Sequence, residues 1–256
     1  IGLHGKSILP FVISYGCNVP GVMATRILES PRDRFITATL SVLIPCAART
    51  TVIFGLIGAY IGGFAAAGLY LFNMFVIMIL GAILTKFIPE TAGLIMEIPP
   101  LRIPAIKNVF MKTWLRLKDF MVVAWPLLII SSIILSFLEY LELDLILNKI
   151  FSPVVSWLLG LPEQTGITLL FGILRKELSM IMLFQAMHTT QLNTVMSNLQ
   201  LIVYTIFTIF YIPCVGTMGA LVRELGFKRM ILITILTIAL ALILALTSRI
   251  ILSIVI

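Results

Sequence analysis

The segment Gly16-Cys17-Asn18-Val19-Pro20 decides the fold that the sequence predicts, because it places polar residues and a proline inside an apolar stretch. Two later segments have the same character, Ile44-Pro45-Cys46-Ala47-Ala48-Arg49 and Ile212-Pro213-Cys214-Val215-Gly216. Proline removes a backbone donor and clashes with the carbonyl four residues earlier, so we expect a helix break or kink at each segment. Within a bilayer, a broken helix is tolerated only where it is buried in protein or lines a cavity. The three segments therefore predict a polar interior in a membrane protein.

The overall composition is that of an integral membrane protein. Hydrophobic residues make up 60% of the 256 residues and charged residues only 11%, whereas charged residues make up about 25% of a soluble domain. Most basic residues stand at the ends of apolar segments, as the positive-inside rule expects, so the net charge of +7 does not indicate nucleic acid binding. The three cysteines form no CxxC pair, which argues against a zinc finger or a disulfide framework.

The apolar segments follow one another without a soluble insert, so we predict an all-α fold, a polytopic transmembrane helical bundle. Residues 6–26 are expected to form one short span with an interruption in its middle. Residues 35–60 are expected to cross the bilayer with a break at Pro45, since a crossing needs about 20 residues. Residues 64–85 are expected to form an uninterrupted span.

The middle of the chain, residues 89–161, contains several predicted features. Residues 89–104 are rich in proline and are expected to form an extended loop. In residues 106–117 apolar side chains recur at helical spacing opposite polar ones, which favours an amphipathic helix in the membrane interface over the end of a long span. Residues 120–138 form the clearest transmembrane segment, and residues 145–161 are either a short crossing or a surface helix.

Residues 1–88 and 162–256 are weakly similar to one another and are predicted to be two repeats. Each half contains an Ile-Pro-Cys break, at Pro45 and at Pro213, and ends in an uninterrupted span. The basic loops occupy different places in the two halves, so the halves have opposite orientations if both loops are cytoplasmic and residues 145–161 cross the membrane. Many secondary transporters build a site near the bilayer midplane from inverted repeats with paired broken helices.

Charged residues within the apolar segments are candidates for function. Arg49, Arg175, Lys176 and Glu177 are such residues, and each charge costs roughly 2.5–3.5 kcal/mol at the centre of a spanning helix. We expect Glu177 to pair with Arg175 or Lys176, or with Arg49 of the other half. Two interpretations remain open: a structural ion pair that holds the broken helices together, or direct contact with a substrate.

All three cysteines fall at predicted helix breaks, which favours a thiol-lined path through the protein. A single buried cysteine usually packs as a small hydrophobic residue, but the shared position of Cys17, Cys46 and Cys214 favours a common role. Sulfur ligands suit soft and borderline metals such as cuprous copper and ferrous iron. Asn18 adds a carbonyl oxygen, and Glu177 adds a carboxylate that is a plausible hard ligand for a cation.

Together these motifs resemble the membrane domain of FeoB, the ferrous iron transport protein B of prokaryotes. The matching segments, in the order of the family, are Tyr15-Gly16-Cys17-Asn18-Val19-Pro20, Pro45-Cys46-Ala47-Ala48-Arg49, Glu97-Ile98-Pro99-Pro100-Leu101-Arg102-Ile103-Pro104, Leu174-Arg175-Lys176-Glu177-Leu178 and Tyr211-Ile212-Pro213-Cys214. The broken segments resemble the gate regions of that family, a repeat shared with nucleoside-recognition transporter domains. The resemblance therefore implies two gate-type repeats with broken helices.

The resemblance also implies a function: transport of Fe(II) across the cytoplasmic membrane of a bacterium or archaeon, with no permanently bound cofactor. It implies that Cys17, Cys46 and Cys214 line the ion path and act as its metal ligands. The residues assigned to the helix breaks and to charge support are Gly16, Pro20, Pro45, Arg49, Arg175, Lys176 and Pro213. The chain starts at Ile1 and has no match to the family's GTP-binding domain, so we expect a fragment whose partners are that domain of the same polypeptide, the lipid bilayer and other copies of the chain.

Other functions are possible on the same sequence. A nucleoside or organic-anion carrier would use the same repeat, with Arg49 and Arg175 binding the anion, but the thiols and the few hydrogen-bonding groups in the spans count against it. An intramembrane enzyme would need Glu177 and His188 as acid and base with no second carboxylate beside them, so we predict a transporter module and not an enzyme. A membrane anchor that only docks a GTPase would have no use for broken helices.

Overall fold

The computed structural model describes residues 3–88, 155–187, 189, 192 and 195–255, together with isolated positions between 107 and 133. Every regular element in these described residues is helical, and four helices in them are long and apolar enough to cross a membrane. These helices are Pro31–Gly58, Gly63–Phe87, Asn198–Leu225 and Phe227–Ser253. The prediction of an all-α, multi-pass membrane protein is confirmed.

Each half of the chain is built from the same order of helices. In the first half they are α1 (Ile8–Gly16), α2 (Asn18–Ala24), α3 (Pro31–Leu43), α4 (Ala47–Val52, continued by a π-helix over Ile53–Gly58) and α5 (Gly63–Phe87). In the second half they are α6 (Thr165–Leu174), α7 (Lys176–Ala186), α8 (Asn198–Phe210), α9 (Val215–Leu225) and α10 (Phe227–Val255). Short 3₁₀-helices cover Gly5–Ser7 and Thr25–Ile27, and a π-helix covers Val155–Leu159.

The first two helices form a re-entrant hairpin, so the predicted short span over residues 6–26 is wrong. Lys6 Nζ, before α1, lies 3.1 Å from Glu29 Oε1, after α2, which places both ends of the hairpin on the same side. A Cβ added to Gly21 would lie 1.9 Å from Ser14 Oγ. In a continuous helix these residues would be about 10 Å apart, so the two half-helices lie side by side.

The break in this hairpin lies at Cys17 and not at Pro20. Cys17 is extended, with φ −152° and ψ 133°, between the last residue of α1, Gly16, and the first residue of α2, Asn18. Pro20 is inside the first turn of α2, where a missing N–H costs nothing because that donor has no intrahelical partner. Proline is therefore compatible with the start of α2 and does not itself interrupt the helix.

A second hairpin, between α6 and α7, has an unpredicted break that contains no proline. Arg175 between the two helices is extended, with φ −142° and ψ 127°. A Cβ added to Gly172 would lie 2.9 Å from Ser179 Cβ. In this hairpin the residue three before the break is Gly172 and the residue four after it is Ser179. At the same two positions the first hairpin has Ser14 and Gly21. The same small pair thus lets both hairpins close, in reversed order.

The two Ile-Pro-Cys segments do break long membrane helices, as predicted. Pro45 lies between α3 and α4, and Pro213 lies between α8 and α9. Helices α3 and α8 have the same length, 13 residues, and each begins after a serine N-cap, Ser30 or Ser197. The two halves therefore share a crossing helix that is broken at a proline.

The two halves have opposite orientations in the membrane. Arg34 in the first turn of α3 binds Glu224 at the end of α9, with Nη2 and Oε2 2.7 Å apart, so α3 begins where α9 ends. Gln200 in the first turn of α8 donates to Gly160 O at 3.0 Å, and Gly160 packs against Arg249. Arg249 is roughly 33 Å along α10 from its start beside α9. Helix α8 therefore begins at the opposite end from α3, as the inverted arrangement requires.

One end of the bundle, which we call the basic end, carries the starts of α3 and α10 and the end of α5. Arg32 Nη2 donates to Thr85 O at 2.8 Å, which brings the end of α5 to the start of α3. The basic residues at this end include Arg26, Arg32, Arg34, Lys86, Arg223, Lys228 and Arg229. The positive-inside rule places the basic end in the cytoplasm.

Several predictions concern residues outside the described part of the chain. These are the extended loop at residues 89–104 and residues 145–154 of the ambiguous segment. The described positions between 107 and 133 are helical, in agreement with the helices predicted there. The interfacial location of residues 106–117 stays a prediction.

Glu224 joins the two halves at the basic end, and its loss should weaken their association. Its side chain is 3% exposed and binds both Arg26 and Arg34. We expect Glu224→Gln to lower the free energy of unfolding by about 2 kcal/mol, because a buried charged hydrogen-bonding partner is lost. Thermal unfolding in detergent measures the change.

The matched control for this change is Glu29→Gln, since Glu29 also pairs with a basic residue at this end. The Lys6–Glu29 pair has side chains that are 40% and 67% exposed, so its removal should cost less than about 1 kcal/mol. Equal effects of the two substitutions would contradict a specific role for Glu224 between the halves.

Candidate functional site

The three cysteines occupy equivalent positions in the structure, at the N-cap of a half-helix. Cys17 precedes α2, Cys46 precedes α4 and Cys214 precedes α9. All three thiols are half-buried and none forms a disulfide. The start of the remaining half-helix, α7, has Arg175 in the same position. Each break therefore presents either a thiol or a guanidinium at a helix start.

The breaks of both halves meet in the interior of the bundle. A Cβ added to Gly216, at the start of α9, would lie 3.2 Å from Val19 Cγ2 at the start of α2, so the breaks at Cys17 and Cys214 are adjacent. Cys17 is also within electrostatic range of Cys46 and Glu177. Lys176 lies within the same range of Arg49, Cys46 and Cys214. The structure thus brings the predicted thiols and buried charges into one region.

The thiols do not form a closed metal cage in this conformation. Within the described residues, no group of three His, Cys, Asp or Glu side chains is arranged so that it could hold a metal ion. The assignment of Cys17, Cys46 and Cys214 as metal ligands therefore stays a prediction.

Asn18 holds the first hairpin to the broken helix α3. Its Nδ2 donates to Val42 O at 3.0 Å, near the end of α3. Its side chain is buried, and its Oδ1 has no hydrogen-bond partner among the described residues. A buried amide oxygen without a partner is costly, so this atom is available to a ligand within the bundle.

Arg49 is fully buried and binds the carbonyls that the break at Pro45 leaves without helical partners. Its Nη1 donates to Val42 O and, at 3.4 Å, to Ile44 O. Val42 O therefore accepts hydrogen bonds from both Asn18 and Arg49. These hydrogen bonds support a structural role for the Arg49 charge. Its partners are backbone carbonyls and not the carboxylate that the sequence predicted.

Lys176 is the first residue of α7. It occupies the position in the second half that Asn18, the first residue of α2, occupies in the first half. Its Nζ donates to Thr208 O near the end of α8 at 3.1 Å and lies 3.5 Å from the centroid of the Tyr211 ring. A cation over an aromatic face is stabilised by the ring quadrupole. In each half, the first residue after the hairpin break thus holds a carbonyl of the broken crossing helix.

The predicted ion pairs of Glu177 are wrong. Among the described residues, Glu177 forms no ion pair with Arg49, Arg175 or Lys176, and it is partly exposed. Arg49 and Lys176 are occupied by carbonyls that the broken helices leave free, and Arg175 is exposed at the hairpin tip. The Glu177 carboxylate therefore binds neither of the two buried cations.

Two tyrosines outside the predicted site residues hold the second hairpin against α8. The Tyr204 hydroxyl donates to Ser179 O at 3.0 Å and lies 2.8 Å from Thr168 Oγ1. The Tyr211 hydroxyl donates to Leu169 O at 2.7 Å. The two tyrosines are seven residues apart in an uncharged span, which puts them on one helix face. This spacing is the sequence feature that indicates a shared role for them.

Comparison with known proteins identifies related sequences along most of the chain. A family model named Gate and described as nucleoside recognition matches residues 1–60 and 121–228. A second model, described as ferrous iron transport protein B C terminus, matches residues 66–116. No solved structure of significant similarity matches the chain.

Curated relatives carry the name Fe(2+) transporter FeoB. One from Staphylococcus aureus is 29% identical over 245 residues, which are 87% of this chain and 37% of the relative. One from Methanocaldococcus jannaschii is 27% identical and covers 89% of this chain and 38% of the relative. One from Salmonella typhimurium is 36% identical over 143 residues, 53% of this chain and 18% of the relative. The chain spans less than two fifths of the length of these relatives.

Proposed function

Because this chain belongs to the gate family and residues 66–116 match the C terminus of ferrous iron transport protein B, we propose that it moves Fe(II) across the cytoplasmic membrane as part of a larger transporter. The observation that carries the proposal is the position of the cysteines at the starts of α2, α4 and α9. The names of the curated relatives support the choice of ion. The GTP-binding domain of the longer polypeptide is its proposed partner.

The thiols replace part of the water shell of the ion as it passes the breaks. Ferrous iron accepts sulfur together with nitrogen and oxygen ligands. Asn18 Oδ1 and the Glu177 carboxylate are additional oxygen donors beside Cys17, and neither is engaged by another described side chain. Fe(II) binding to a thiol releases its proton, so uptake is expected to increase with pH.

Thiols that are near one another but do not form a complete cage among the described residues suit transport better than storage. A transported ion must bind strongly enough to enter and weakly enough to leave, which several incomplete sites achieve. A complete cage of three cysteines would hold the ion tightly. We therefore assign Cys17, Cys46 and Cys214 to successive or partial contacts, with Arg49 and Lys176 stabilising the broken helices around them.

A nucleoside or organic-anion carrier is the second candidate, and the description of the family model favours it. Buried Arg49 and Lys176 also place positive charge in the interior without a carboxylate partner among the described residues. Against this candidate, both cations are already bound to backbone carbonyls.

Anaerobic thermal unfolding of the purified transporter distinguishes the two candidates. Fe(II) at ten times its Kd should stabilise the folded protein by about 1.4 kcal/mol, and Cys17→Ser should reduce this gain because one sulfur contact is lost. Met78→Leu is the control, since it removes an exposed sulfur on α5. Stabilisation by a nucleoside but not by Fe(II), or an unchanged Fe(II) effect in Cys17→Ser, would contradict the proposal.

A further inference from the structure

A cleft at the basic end combines two arginines with an apolar floor. It lies between the start of α3, the end of α5 and the start of α10, and its volume is about 280 Å³. The residues that line it are Pro31, Arg32, Phe35, Ile88, Arg229 and Leu232. None of these residues belongs to the helix breaks or to the proposed ion path.

The described residues that line the cleft carry a net positive charge. Arg32 is held in place by Thr85 O at 2.8 Å and by Ile88 O, and its Nη1 lies 3.2 Å from Asp33 Oδ1. Asp33 therefore offsets the charge of Arg32. Arg229 is exposed, and no carboxylate of the described residues lies within ion-pair distance of it. Arg229 thus supplies the uncompensated charge.

Neighbouring residues extend this charge and show which surface the cleft faces. Lys86 and Lys228 are exposed beside the cleft, at the end of α5 and the start of α10. Large apolar side chains are also exposed at this end of the bundle: Phe87, Phe227 and Leu232. In a membrane protein such a surface is covered by lipid, so the cleft opens where headgroups meet acyl chains.

From this combination we propose that the cleft binds an anionic phospholipid of the cytoplasmic leaflet. The headgroup phosphate accepts hydrogen bonds from the exposed Arg229 guanidinium, whose planar fork matches phosphate oxygens. Arg32, which is engaged by Thr85 O, Ile88 O and Asp33, forms one wall of the cleft. An acyl chain covers Phe35 and Leu232 on the apolar side of the cleft. Basic pockets between transmembrane helices on the cytoplasmic side are a known form of lipid site, and charge complementarity favours an anionic lipid over a zwitterionic one.

Native mass spectrometry of the purified full-length protein with added phosphatidylglycerol tests the proposal. Arg229→Gln should weaken phosphatidylglycerol binding roughly fivefold, since a basic side chain near the surface contributes about 1 kcal/mol. Arg229→Lys keeps the charge but not the planar fork, so it should bind more tightly than Arg229→Gln and more weakly than the native protein. Phosphatidylcholine, whose choline ammonium offsets the phosphate charge, should bind more weakly than phosphatidylglycerol and should lose less of its binding in Arg229→Gln.

The matched control is Arg223→Gln, which removes an exposed charge at the same end but outside the cleft. This variant should bind phosphatidylglycerol as the native protein does. Inorganic phosphate, which has no acyl chain, should not displace the lipid. Equal losses in Arg229→Gln and Arg223→Gln, equal binding of phosphatidylcholine, or displacement by inorganic phosphate would each overturn the proposal.

Discussion

Gly21→Val is expected to lower the free energy of unfolding by about 3 kcal/mol, because the first hairpin has no room for a side chain at this position. A single Cβ there would lie 1.9 Å from Ser14 Oγ, 3.0 Å from its Cβ and 3.1 Å from its Cα. Rotation of the serine side chain relieves the first contact but not the other two. Thermal unfolding of the purified protein in detergent measures the loss.

Gly68→Val is the matched control, since Gly68 lies in the membrane helix α5 and a Cβ there meets nothing within 4 Å. This change should alter stability by less than about 1 kcal/mol, the difference in helix propensity. A loss as large as that of Gly21→Val would show that bulk in any membrane helix is harmful, and would contradict the close approach in the hairpin.

The second hairpin suggests how a side chain at position 21 can be accommodated. There the glycine precedes the break, at Gly172, and the serine follows it, at Ser179. The double substitution Ser14→Gly with Gly21→Ser transfers this order to the first hairpin. It should be more stable than Gly21→Ser alone, although the contact with the backbone at position 14 limits the recovery.

Replacement of Cys17, Cys46 and Cys214 together by serine is expected to reduce Fe(II) uptake at least about tenfold, since 1.4 kcal/mol of lost ion binding corresponds to a factor of ten. Serine keeps the size and the polarity of the side chain but replaces a soft sulfur with a hard oxygen. Uptake of radiolabelled Fe(II) by cells that express the full-length transporter measures this effect.

Met78→Leu serves as the control in the uptake assay, because it removes a sulfur from the exposed face of α5. It should leave uptake unchanged at equal expression. Single cysteine variants then show which thiol limits transport. Normal uptake by the triple serine variant would contradict a role for the thiols in the ion path.

The sequence alone determined the class of the protein and two of its helix breaks. Its low charge content and long apolar segments required a membrane protein, because charges are too costly in lipid to be frequent there. Pro45 and Pro213 determined breaks between α3 and α4 and between α8 and α9, since a proline in the helix interior removes a hydrogen bond and clashes with the preceding turn. These effects are local, and a local pattern predicts them.

Only the tertiary structure showed that residues 6–26 return to the side from which they enter and that a second hairpin breaks at Arg175. Whether two short helices continue or fold back depends on the packing of Ser14 against Gly21 and of Gly172 against Ser179. Both halves contain this pair, but its order is reversed, so the similarity is hidden in the sequence.

The partners of the buried charges were likewise decided by the tertiary structure. The sequence placed Arg49 and Lys176 inside the membrane and suggested Glu177 as their partner, but they bind Val42 O and Thr208 O near the ends of α3 and α8. A broken helix leaves carbonyls without helical partners, and the cation that satisfies them is the one that folding brings within reach. Residues distant in sequence supply that contact, so the residue pattern determined the need for a partner, and the fold determined which partner meets it.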